Sequence, residues 1–166
     1  MYKQNSHENT CLVRDSEGVY HRVHQLELLS VAQNCIKEKF KNGEELTSPE
    51  RAGHYFQVLI GGYEHEVFTV AWLNNRHEVI GYSELFRGTL SAANVYPREV
   101  VKEGLARNAA AVILAHNHPS GVAEPSHADV QITERIKAAL ELVDIRVLDH
   151  MVIGSSITSM AERGLL

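Results

Sequence analysis

Ala109-Ala110-Ala111-Val112-Ile113-Leu114-Ala115-His116-Asn117-His118-Pro119-Ser120-Gly121 is the stretch from which the rest of the chain is read. Its apolar start has no polar interruption, and a run of that length closed by Pro and Gly predicts a buried strand. Residues i and i+2 of a strand share a face, so His116 and His118 at its end can aim both imidazoles at one point. Pro119 biases His118 toward an extended backbone, which keeps that pairing. After a short loop, Ser126-His127-Ala128-Asp129 opens a predicted helix and brings Asp129 into its first turn. Two imidazoles and a carboxylate form a three-ligand set that suits one zinc ion per chain, with the fourth position open to water. That is the pattern of a catalytic metal rather than a structural one.

Each of these residues also has a plainer use. The chain carries 10 histidines, and a single histidine usually belongs to the surface or the core. Ser126 followed three residues later by Asp129 matches a capping box, which satisfies the first amides of a helix without any metal. The two uses coexist, since Ser126 can cap the helix while its hydroxyl points at a substrate.

Outward from this stretch the chain reads as alternating strands and helices. On the C-terminal side, Ile132, Ile136, Ala139, Leu140 and Val143 give the helix from Asp129 to Leu142 an apolar face. A last strand is expected over Ile145 to Ile153, closed by Gly154, with a short strand or helix in the remainder. On the N-terminal side, Tyr96-Pro97-Arg98-Glu99 opens a helix to about Asn108, with Val100, Val101, Leu105 and Ala109 expected to face inward. Before it, Glu66 to Leu73 and His77 to Tyr82 form a hairpin around Asn74-Asn75-Arg76. A third extended piece is expected from Glu84 to Ala93. Ser48-Pro49 reads as an N-cap with proline at the first helical position, and the helix runs to Leu59 or Ile60, where Gly61-Gly62 closes it. Leu28, Leu29, Ala32, Cys35, Ile36 and Phe40 recur at helical spacing from His24 to Phe40, with Lys41-Asn42-Gly43 as the stop. That helix would pack on the domain or on a second copy of the chain, so a homodimer is one arrangement it allows. Thr10 to Val23 reads as a hairpin turning at Asp15-Ser16-Glu17-Gly18, and the first ten residues as poorly ordered. The whole is an α/β domain, a mixed β-sheet flanked by helices, over residues 46–166, with an N-terminal extension and its amphipathic helix over 1–45.

Composition narrows the function. The net charge of −5 disfavours sequence-independent nucleic-acid binding, which needs a basic face to neutralise phosphates. The first ten residues lack the apolar region of a signal peptide, and no apolar stretch reaches the ~20 residues that cross a bilayer. Cys11 and Cys35 lack CxxC spacing and read as free thiols in a reducing compartment. A cytoplasmic protein without membrane contact is expected.

His-x-His, seven residues, Ser, two residues and Asp is the signature of the JAMM (MPN-type) metallopeptidases, and His116, His118, Ser126 and Asp129 match it at every position. The fuller run from His116 to Gly121, with Pro125-Ser126 and Asp129, resembles the RadC family of bacteria. So do Phe86-Arg87-Gly88-Thr89-Leu90, Tyr96-Pro97-Arg98-Glu99 and Asp149-His150. The resemblance covers roughly residues 64 to 166. It implies an MPN/JAMM fold with a cytidine-deaminase-like α-β-α architecture, and His116, His118 and Asp129 as zinc ligands. It also implies a general base on an early strand, for which Glu66 is the best match and Glu64 the alternative. Ser126 would then donate to the oxyanion. The His-x-Glu and Pro-Cys-x-x-Cys pattern of zinc deaminases is absent.

The expected activity is metal-assisted hydrolysis of a peptide or isopeptide bond in a peptide or protein substrate. The alternative is a DNA-repair or DNA-processing accessory without peptidase activity. Full-length RadC-like proteins carry a helix-hairpin-helix module before this domain, and the segment before Glu64 shows no such pattern, so a short form is expected. His150 reads either as a residue that orients a metal ligand or as a hydrogen-bonded core histidine. His127 reads as exposed, and Arg87-Gly88-Thr89 as a turn supporting the sheet or a contact to substrate.

Overall fold

Asp15 turns the chain between its first two strands. Its Oδ1 accepts the amides of Glu17 at 3.0 Å and Val19 at 2.8 Å, the self-made turn for which Asp is favoured. Strands β1 (Thr10–Arg14) and β2 (Tyr20–His24) pair antiparallel across it, with Thr10 opposite His24. Helix α1 (Gln25–Lys41) follows directly. The computed structural model describes residues 9–41, 46–88 and 95–166. The expected stop at Asn42-Gly43, the disorder expected of residues 1–8 and the end of the third extended piece lie outside them. The chain divides into two compact units, Met1–Lys37 and Glu38–Leu166.

The second unit opens with α2 (Pro49–Ile60), whose first free amides are capped as the Ser48-Pro49 pair predicts: Ser48 Oγ accepts from Arg51 N at 3.2 Å. Gly61 keeps a right-handed φ of −63° and its amide bonds the Gln57 carbonyl, so the helix closes without a left-handed glycine. Strands β3 (Val67–Leu73) and β4 (Val79–Arg87) form the expected hairpin. The turn is longer than predicted. Asn74 Oδ1 accepts from the amides of Arg76 and Glu78, and His77 takes a φ of 62°. The third extended piece is not separate, because Glu84 to Arg87 continue β4 against β3.

Helix α3 (Pro97–Ala106) buries Val100 and Gly104, four residues apart on one stripe. Leu105 lies one position off that stripe and is 55% exposed, contrary to expectation. Strand β5 spans Ala111–Asn117 rather than 109–115, because Asn108 turns at a φ of 52° and the Ala109 amide still bonds Gly104. The shift places His116 inside the strand. Helix α4 (His127–Glu141) crosses to β6 (Arg146–Ile153), the parallel neighbour of β5, and β7 (Ile157–Ser159) closes the edge. The sheet order is β4-β3-β5-β6-β7, and all pairs except β5–β6 are antiparallel.

Every residue of β3 and of β5 is buried, as two central strands covered on both faces require. One face sends Phe68, Val70, Trp72, Val112 and Leu114 against Val100 of α3 and Ile136 and Leu140 of α4. On the other face α2 packs against β5, β6 and β7. The result is an α-β-α sandwich with a mixed sheet. Among the described residues no helix is long and apolar enough to cross a membrane.

Candidate metal centre

The face that holds the core under α3 and α4 ends in polar residues. Phe68 stands opposite His116 in the β3–β5 register, and Leu114 opposite His150 in the β5–β6 register. Paired residues share a face, so His116 and His150 meet above the last apolar layer, with the Phe68 ring edge-on to His150 at 5.5 Å. Both histidines are fully buried. Burial holds the His150 imidazole well below its ordinary pKa.

His116, His118 and Asp129 converge here, as their spacing predicted. His116 Nε2 lies 3.0 Å from His118 Nε2 and 3.3 Å from Asp129 Oδ1, and His118 Nε2 lies 3.7 Å from Asp129 Oδ2. Among the described residues these three form a group of potential ligands whose donor atoms all fall within 4.8 Å of one another. His118 Nδ1 is 2.7 Å from the Val122 carbonyl. A carbonyl only accepts, so the neutral ring carries its hydrogen on Nδ1 and leaves Nε2 as a bare lone pair. Asp129 Oδ1 is buried without a hydrogen-bond partner. Lone pairs so close repel unless a cation lies between them. Ligand atoms 2.0–2.1 Å from a tetrahedral zinc ion stand about 3.3 Å apart, close to the His116–His118 and His116–Asp129 Oδ1 separations. The donor set fits a metal ion.

Asp129 is held by its helix. Ser126 N donates to Oδ2 at 2.7 Å, Ser126 Oγ donates to the same oxygen at 2.6 Å, and Asp129 N returns a bond to Ser126 Oγ. The capping box is therefore complete, yet it uses only Oδ2 and leaves Oδ1 for the centre. Burial raises the Asp129 pKa, and the two bonds from Ser126 to Oδ2 act against that rise. The hydroxyl hydrogen of Ser126 is committed to Asp129, not to open space. The loop after His118 rests on the β6–β7 turn: His118 N bonds Ile153 O at 2.7 Å, and Ser155 N bonds Gly121 O at 2.7 Å. Gly121 takes a φ of 84° there, a conformation glycine adopts freely. His118 retains 15% side-chain exposure, whereas His116 and Asp129 are sealed, so of the three it is His118 that reaches solvent.

A family model described as a RadC-like JAB domain matches residues 46–165. The chain belongs to the RadC family. It is 53% identical over 145 residues to a UPF0758 protein of Vibrio cholerae serotype O1, an alignment covering 87% of this chain and 92% of that protein. Against UPF0758 proteins of Marinobacter nauticus and Aeromonas hydrophila it is 56% identical over 139 and 140 residues. It spans 62% of the length of each of those two.

In this RadC-family chain Glu66 lies one residue before β3 and is half-buried, while Glu64 is exposed. Strand alternation carries Glu66 to the face that Phe68 shares with His116. The segment is pinned by a residue to which the spacing gave no role. Asn117, between the two histidines, donates from Nδ2 to the carbonyls of Tyr63 and His65 and accepts the Val67 amide on Oδ1. Thr133 was missed as well. It lies one helical turn after Asp129, touching both the Asp129 carbonyl and His150, and its spacing of four from Asp129 was the available signal. His150 meets both of its readings at once: it is a buried core histidine, and its Nε2 lies 2.8 Å from His116 Nδ1. Asp149 fixes it from behind, accepting from His150 N, Ser159 Oγ and Ala161 N. His127 is exposed, as expected.

Proposed function

We propose that this RadC-family protein is a zinc-dependent hydrolase that cleaves an amide bond, peptide or isopeptide, in a protein substrate. The carrying observation is the convergence of His116, His118 and Asp129, with Asp129 Oδ1 buried without a hydrogen-bond partner and His118 alone of the three reaching solvent. His116, His118 and Asp129 would hold the zinc, which would supply Lewis acidity toward water and the substrate carbonyl. Glu66 takes up the proton released on attack and passes it to the leaving amine. Ser126 turns its hydroxyl from Asp129 Oδ2 toward the carbonyl oxygen as charge develops on it. Glu66 is favoured over Glu64 because it lies nearer His116 along the strand and is partly shielded from water.

The catalytic part is residues 46–166, with residues 1–45 an extension. The free thiols Cys11 and Cys35 fit a reducing cytoplasm, and the net charge of −5 fits a protein substrate better than direct contact with nucleic acid. The test is cleavage of mixed peptide and isopeptide substrates by the zinc-loaded protein, with Glu66→Gln and Glu64→Gln at matched zinc content. Glu66→Gln is expected to lower turnover at least ~100-fold, in the range typical of a lost general base, and Glu64→Gln to leave it near wild type. Equal losses in both variants, or none in Glu66→Gln, would remove the assignment.

A further inference from the structure

The hydrogen bonds behind His116 have a direction, and Thr133 sets it. Thr133 Oγ1 lies 2.5 Å from the Asp129 carbonyl oxygen and 2.6 Å from His150 Nδ1. A hydroxyl has one hydrogen, and a carbonyl can only accept, so that hydrogen goes to Asp129. Met160 Sδ, at 3.9 Å, is a weak and distant competitor. The Oγ1 lone pair facing His150 must then accept, which puts a hydrogen on His150 Nδ1. A neutral imidazole protonated at Nδ1 is bare at Nε2. His150 Nε2 therefore accepts from His116 Nδ1 at 2.8 Å. His116 is left with its hydrogen at the back and a bare Nε2 toward His118 and Asp129.

We propose that Thr133 and His150 are positioning residues that lock His116 into the one neutral tautomer able to ligate a metal at this centre. The chain starts on the backbone of one ligand residue, Asp129, and ends on the ring of another, His116. The orientation of α4 and the tautomer of a β5 side chain are thereby tied together. Reversing any hydrogen in the chain would set two donors or two acceptors face to face in a buried site, a costly mismatch. The proposal rests on the metal reading for its consequence, though the direction of the chain follows from the distances between neutral side chains.

The experiment pairs zinc affinity, by competition with a chromogenic chelator, with nitrogen-15 NMR of the histidine tautomers. Thr133→Val removes the hydroxyl at nearly constant shape, and Thr133→Ser restores it. Thr133→Val is expected to weaken zinc binding about 10–100-fold, the usual cost of losing a residue that orients a ligand, and Thr133→Ser to stay within about threefold. In the metal-free wild type, His150 is expected to carry its hydrogen on Nδ1. Wild-type affinity in Thr133→Val, an equal loss in Thr133→Ser, or a hydrogen on His150 Nε2 would each overturn the lock. A wild-type protein that binds no zinc would defeat the metal reading instead, and the His150 tautomer would still decide the lock. That measurement needs no variant, so a substitution that impairs folding does not stop it.

Discussion

Asn117 Oδ1 accepts the amide of Val67 at 2.7 Å, a buried bond between residues 50 apart in sequence. With the two bonds from Nδ2 to Tyr63 and His65, it fastens the segment carrying Glu64 and Glu66 to the strand carrying His116. Asn117 points away from the face of its two neighbours, so the histidine pair and the clamp occupy opposite sides of one strand.

Replacing Asn117 with alanine should therefore separate metal binding from turnover. The buried Val67 amide and the carbonyls of Tyr63 and His65 lose their partner, which costs about 1–3 kcal/mol of stability. Zinc content should stay near wild type, because none of the three proposed ligands is touched. Turnover should fall as strongly as in Glu66→Gln if the clamp positions the base. Thermal melts, zinc analysis and cleavage rates on one preparation check all three.

Gly154 lies where β6 gives way to the turn beneath the metal loop. A Cβ there would clash with the Gly121 carbonyl oxygen and meet the Ala123 amide nitrogen at 3.0 Å, both backbone atoms. Neither can rotate aside, so Gly154→Ala should push the loop that holds Val122 and loosen its hold on His118 Nδ1. We expect a loss of roughly 1–3 kcal/mol, as for other overpacked sites. Zinc affinity should fall with it. An unchanged melting temperature and unchanged affinity would show that the loop accommodates the methyl group.

Ser126→Ala tests a residue with two jobs. Loss of the N-cap should cost about 0.5–2 kcal/mol. If the hydroxyl also meets developing charge on the substrate, turnover should drop about 10²–10³-fold with KM and zinc content little changed. A variant that is less stable but turns over normally would leave Ser126 as a cap and nothing more.

The fold was legible where burial writes directly into sequence. Buried β5 appears as an uninterrupted apolar run, and Ser48 announces its cap. The far half of β4 was not legible, because a half-buried edge strand can carry Ser83 and Glu84 once they find partners. Trp72 Nε1 donates to Ser83, and Tyr63 and Arg87 donate to Glu84. Leu105 misled because its helix uses Gly104 at the contact stripe. At the site, the convergence of His116, His118 and Asp129 was legible because their spacing is local. Asn117 was not, since it acts on backbone carbonyls that only tertiary structure brings near, and Thr133 offered its spacing from Asp129 but not the histidine that the fold sets beside it.

The central claim is that His116, His118 and Asp129 hold a metal ion. Zinc should also stabilise the fold by mass action, by about 2.7 kcal/mol at a hundredfold excess over its Kd, and a strong chelator should remove that increment. The most direct measurement is zinc stoichiometry, by elemental analysis, of wild-type protein and of His118→Ala purified in parallel. One zinc per wild-type chain and markedly less in His118→Ala is the predicted result. A wild-type chain without stoichiometric zinc after loading, or a His118→Ala chain that keeps it, would contradict the claim.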